Sequence, residues 1–189
     1  MQRMTGLLVG ALFGAVFVIA NAHDPLNPVA VTIARAAAAL GLCGVVVLGR
    51  RARAAATGQA RPAAGRGPRN MFGRGYWLVV AAEAILLFGG IALLRAWGQP
   101  EEANVAWIAV IVGIHFVVLA PVWRQPSIAV PGVLLTVVGV AGLVMAQTSA
   151  VAWTPVVAGV LSGVTLLVSC IAAAWSGSRS GSASPKRAA

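Results

Sequence analysis

The chain has 189 residues, 59% of them hydrophobic and 10% charged, against roughly 25% charged in a soluble domain. That composition excludes a water-soluble globular fold. Fourteen Lys and Arg against four Asp and Glu give a formal net charge of +10, and two cysteines are too few for a disulfide scaffold.

A helix that crosses about 30 Å of hydrocarbon at about 1.5 Å per residue needs about 20 apolar residues. In chain order, apolar runs of that order occupy residues 5–22, 29–48, 76–94, 105–122, 128–146 and 151–175. Unpaired backbone groups are costly in lipid and no alternating strand pattern is present, so the runs predict helices. The expected fold class is all-α, a polytopic membrane bundle of six transmembrane helices forming a single domain over residues 1–175.

The first run follows a short basic start and ends on Ala20-Asn21-Ala22, the small-x-small form of a signal-peptidase site. It is expected to be retained nonetheless, because Gly6, Gly10 and Gly14 form a helix-packing series rather than a Leu-rich signal core. After the second run, residues 49–75 carry Arg50, Arg51, Arg53, Arg61, Arg66, Arg69 and Arg74 among Ala, Gly and Pro. This loop, like the basic tail at 176–189, is expected to be disordered.

Threading six helices places twelve basic residues on one side and Arg95 with Asp24, Glu101 and Glu102 on the other. The positive-inside rule then makes both termini cytoplasmic. Trp77 and Trp97, Trp107 and Trp123, and Trp153 and Trp175 bracket the third, fourth and sixth runs, as aromatic anchors at the membrane interface would.

Helix contacts in lipid rely on small and polar residues. Gly6, Gly10 and Gly14 on the first helix and Gly159 and Gly163 on the sixth are the expected packing series, within the bundle or in a dimer. Ser162, Thr165 and Ser169 form a hydroxyl stripe, which can line a polar path or bond backbone carbonyls one turn back. Cys43 and Cys170 read as small, reduced, buried residues.

Three ionisable residues fall inside the runs, where a charge is expensive and is usually paired or functional. Arg35 lies about 10 Å below the outer boundary, Glu83 about 10 Å above the inner one, and His115 near the midplane. They can form one network if helices two to four are neighbours. Structurally, Arg35 and Glu83 would neutralise one another; functionally, Glu83 would accept a proton, His115 relay it, and Arg35 serve as a switchable partner or an anion ligand. The two histidines and dispersed carboxylates offer no converging metal-ligand set, and neither a phosphate loop nor a nucleophile elbow is present. No cofactor, metal or enzymatic activity is expected.

The lipid bilayer is the primary partner, with anionic headgroups at the Arg50 to Arg74 loop. Nucleic acid is not expected, since that basic stretch has no Trp or Tyr on which bases could stack. A second copy or another membrane protein can pack on the small-residue faces.

Phe72-Gly73-Arg74-Gly75-Tyr76-Trp77 leading to Glu83, and Gly113-Ile114-His115-Phe116-Val117-Val118-Leu119-Ala120, resemble a family of small, uncharacterised actinobacterial multipass membrane proteins. The resemblance implies a shared bundle and a cell-membrane location, with Glu83 and His115 on the matching motifs. Gly10 to Arg51, with its Gly-rich helix, Pro-containing turn and internal Arg35, also looks like the opening of drug/metabolite-type permeases. No internal repeat of the permease kind relates the two halves.

The function expected is that of a non-catalytic, membrane-embedded accessory or structural protein. The alternative is a small-solute or proton-coupled permease using Glu83, His115 and Arg35. If the first helix is retained, a tag fused to the N-terminus stays on the membrane-bound protein on immunoblotting; a mature chain starting at His23 would show cleavage instead.

Overall fold

A computed structural model describes residues 2–57 and 73–180 of the chain. Among the described residues the regular structure is entirely helical. Six α-helices follow in order: α1 Gln2–Asn21, α2 Pro28–Thr57, α3 Arg74–Ala96, α4 Glu102–Trp123, α5 Ala129–Met145 and α6 Leu161–Ser180. A 3₁₀ turn at Pro126–Ile128 leads into α5, and a π-helical segment at Pro155–Val160 leads into α6. Five of these stretches, at Pro28–Arg51, Gly75–Ala96, Glu102–Trp123, Pro126–Met145 and Val151–Ser176, are long and apolar enough to cross a membrane. The apolar part of α1, Thr5–Asn21, is shorter.

Local chemistry sets several helix ends. Asn27 caps α2 by accepting a bond from the Ala30 N–H at 2.8 Å, and Pro28 occupies the first helical position, where its missing N–H costs nothing. Gly98, at φ +64°, closes α3, with Gly98 N–H bonded to Arg95 O and Gln99 N–H to Leu94 O. The same pair of bonds closes α4 through Gln125 to Ala120 and Arg124 to Pro121. There Arg124 takes the left-handed conformation, at φ 53°, that glycine usually supplies.

Two differences from the expected boundaries concern the basic segments. α2 runs on to Thr57, past its expected end at residue 48, so Arg50, Arg51 and Arg53 are helical rather than part of a disordered loop. α6 likewise continues to Ser180, into the expected tail. Good helix formers explain the first, since Arg50 to Ala56 consists of Arg and Ala alone; the Ser-Gly-Ser-Arg-Ser run at 176–180 has no such propensity. Arg61, Arg66 and Arg69, and Lys186 and Arg187, lie outside the described residues.

The bundle has two cores. In the first, Ala11, Ala15 and Val18 of α1 and Ala22 just after it meet Ala38 and Val45 of α2 and Leu167 and Cys170 of α6. The second joins Val112 of α4, Leu135 of α5 and Leu166 of α6. The sixth helix therefore ties the α1–α2 pair to the α4–α5 pair. The α1/α6, α3/α4 and α4/α5 pairs run antiparallel, whereas α2 and α6, both antiparallel to α1, run parallel where they pack.

Glycines set the closest approaches. A Cβ on Gly163 would stand 2.5 Å from Gly14 O, and one on Gly14 would stand 2.8 Å from Gly163 O, so the α1 and α6 backbones touch directly. Gly10 faces Cys170 Sγ at 3.0 Å, and Gly159 accommodates the side chain of Asn21. Gly6 faces open space and takes no part in this packing. The α4–α5 contact is built in the same way: a Cβ on Gly132 would stand 2.8 Å from Gly113 O, one on Gly139 2.7 Å from Val110 N, and one on Gly142 2.9 Å from Ala106 Cβ. Cys170 is buried as expected, whereas Cys43 is exposed on α2.

These approaches predict opposite outcomes for one substitution type. Gly163→Ala should cost about 1–3 kcal/mol of stability in detergent, the overpacking range, because its methyl meets backbone atoms that cannot yield. Gly6→Ala should be neutral or should stabilise by up to about 1 kcal/mol through helix propensity. Thermal unfolding of the purified variants compares the two directly.

Candidate functional site

Among the described residues the third helix packs mainly against α4, and none of the residues in its apolar span is buried. Three contacts hold it there. Tyr76 stacks on Trp123 with ring centroids 6.1 Å apart, Glu83 meets His115, and Gly90 receives the Trp107 indole, whose Nε1–H donates to Leu86 O at 3.1 Å. On α3 the three positions are seven residues apart, and on α4 they are eight apart. Either step is close to two helical turns, so each set lies along one face and the two faces meet antiparallel.

The middle contact is the candidate site. His115 Nδ1 lies 2.8 Å from Glu83 Oε2, with the His115 side chain 13% exposed and that of Glu83 22% exposed. The carboxylate oxygen stands off the line of the ring N–H, so the contact is a close electrostatic approach rather than an aligned hydrogen bond. Phe116 closes one side, its ring edge-on to the imidazole at 5.7 Å. Chemically, a carboxylate and an imidazole at this separation can share or exchange one proton, and each offers the other the partner that a polar group in hydrocarbon requires.

Arg35 does not join them. It sits exposed on α2, which packs with α1 and α6 instead of α3, and no side chain among the described residues pairs with it. The expected three-residue network is thus a two-residue pair. The small residues of α2 draw it to the first core, and a guanidinium about 10 Å from the helix start is close enough to the boundary for its long stem to reach water.

The hydroxyl stripe on α6 divides. Thr165 donates to Leu161 O at 2.8 Å, satisfying itself one turn back. Ser162 is fully buried with its hydroxyl unpaired among the described residues, and Ser169 is half-buried. Thr154 and Asn104, outside the expected site, also carry buried oxygens without partners among the described residues. The π-helical segment lies between Thr154 and Ser162. Among the described residues, no three His, Cys, Asp or Glu side chains converge as metal ligands would.

The tryptophans also divide. Trp77, Trp97, Trp153 and Trp175 are exposed near helix ends, as anchors are, but Trp107 and Trp123 are spent on the contact between α3 and α4. The sequence clue to that role was the spacing of Tyr76, Glu83 and Gly90 against Trp107, His115 and Trp123. Compared with known proteins, the chain matches no family model, no curated protein and no solved structure.

A double-mutant cycle of Glu83→Gln and His115→Gln, read by unfolding in detergent, should give a coupling of about 0.6 kcal/mol, and at most about 1.7, the range for polar pairs between membrane helices. Additive effects would mean that the pair does not hold α3. By contrast, Ser162→Ala removes a hydroxyl that has no protein partner and should leave stability unchanged or raised.

Proposed function

We propose that the chain is a non-catalytic accessory or structural protein of a bacterial plasma membrane, crossing it six times with both termini in the cytoplasm. The antiparallel packing supports this placement. It collects Arg50, Arg51, Arg53 and Arg124 at one end of the bundle and Asp24, Arg95, Glu101 and Glu102 at the other, the asymmetry that positive-inside threading produces. At 20 residues, α1 has the length of a span and lies antiparallel along α6. The resemblance to small actinobacterial multipass proteins, and the excess of Arg over Lys, agree with a bacterial setting.

The observation that carries the accessory reading is α3. A helix of spanning length that packs mainly on one neighbour among the described residues and has no buried residue offers Leu78, Ile85, Phe88 and Leu93 to lipid or to another membrane protein. The interfaces behind it, between α4 and α5 and between α1 and α6, are closed by glycine contacts and leave no gap between backbones. A second reading, a proton-coupled permease, is favoured by the facing Glu83 carboxylate and His115 imidazole, 2.8 Å apart within the apolar spans.

The two readings part in liposomes loaded with a pH-sensitive dye and given a proton gradient. The accessory protein should dissipate it no faster than protein-free vesicles do, with Glu83→Gln behaving identically. A flux that Glu83→Gln abolishes would replace the accessory reading with the permease. The topology is checked in whole cells with a membrane-impermeant thiol reagent, which should label Gln99→Cys and spare Ser178→Cys.

A further inference from the structure

At the basic end of the bundle, α1 and α2 part around a cavity of about 150 Å³ lined by Leu8, Val46, Gly49, Arg50 and Arg53. The α2 members follow the spacing i, i+3, i+4, i+7, so they form one stripe along a single helix face. Along that stripe the chemistry changes from apolar to basic within two turns. Gly49 is buried and has no side chain, which leaves the hollow between Val46 and the two arginines open.

The depth of the change is set by geometry. Arg50 follows Pro28 by 22 residues, a rise of about 33 Å, and so stands where a helix that enters at Pro28 leaves about 30 Å of hydrocarbon. A ligand here meets an apolar floor from Leu8 and Val46 on the membrane side and two guanidinium groups on the water side. Guanidinium forks match phosphate oxygens, and Arg50 has no partner among the described residues.

From this juxtaposition we propose that the cavity between α1 and α2 binds the phosphate headgroup of an anionic glycerophospholipid, held by Arg50 and Arg53, with the start of an acyl chain against Leu8 and Val46. The apolar floor selects a lipid phosphate over a free one. Arg51 carries the same charge at the same depth but points off the stripe and does not line the cavity. It therefore serves as an internal control for diffuse attraction to an anionic leaflet. The inference rests on the membrane placement proposed above; the thiol-labelling result tests that placement separately, so a failure of one is distinguishable from a failure of the other.

The test uses the full chain purified in a non-ionic detergent and titrated with phosphatidylglycerol, phosphatidylcholine or inorganic phosphate, with bound molecules counted by native mass spectrometry. Phosphatidylglycerol should be retained over phosphatidylcholine, and inorganic phosphate should not displace it. Loss of a hydrogen bond between charged groups, about 1.5–3 kcal/mol, corresponds to a loss of apparent affinity of about 10-fold to about 150-fold for Arg50→Gln or Arg53→Gln. Arg51→Gln should have no effect, and Val46→Trp, which fills the hollow at an exposed position and leaves both arginines in place, should also release the lipid. Equal losses from Arg51→Gln and Arg50→Gln, retention unchanged in Val46→Trp, or displacement by inorganic phosphate would each overturn the site.

Discussion

Helices in hydrocarbon gain little by burying apolar side chains against one another, because lipid tails are as apolar as Leu, so their association depends on how closely backbones can approach. In this bundle that approach is set by glycine. Gly14 and Gly163 bring α1 and α6 into backbone contact, and Gly113, Gly132 and Gly139 do the same for α4 and α5. Close approach multiplies dispersion contacts that are individually small. It also leaves no space for water between those helices, so the polar groups inside must find partners within the protein or remain without one, as the Ser162 and Thr154 hydroxyls do.

α3 is held by a different kind of contact. Its closest glycine contact, at Gly90, is filled by the Trp107 ring rather than by a neighbouring backbone, and two further contacts are an aromatic stack and a polar pair. A helix held by side chains at three points is attached less firmly than one seated along its length. This is why the Glu83–His115 pair has a double character: it is the polar element that fixes α3 against α4, and the only facing carboxylate and imidazole among the described residues.

Charge is arranged along the axis of the bundle rather than over its surface. Arg50 and Arg53 continue the face that Val46 begins, so one helical stripe passes from hydrocarbon chemistry to headgroup chemistry without a break. In the membrane placement proposed above, the same arginines that would set the direction of threading stand at the depth of lipid phosphate. A threading role asks only for net charge, whereas a lipid site asks for a particular face.

How much was legible beforehand differs from element to element. The all-helical class, and the positions of five spans, followed from run length and from the cost of unpaired backbone groups in lipid, which depend on composition alone. The Gly10, Gly14, Gly159 and Gly163 series could be read because small residues at near-helical spacing mark a face. Gly132, Gly139 and Gly142 were missed, because glycine is common throughout this chain and spacing on one helix does not say which partner it meets. For the site, counting residues from the helix starts gave only an expected depth for Glu83, His115 and Arg35 along the membrane normal. Lateral neighbourhood does not follow from counting. Only tertiary packing decided that α2 sits with α1 and α6, that Arg35 stands apart, and that Glu83 and His115 meet, because which helix faces lie together is set by backbone approach between segments far apart in the chain.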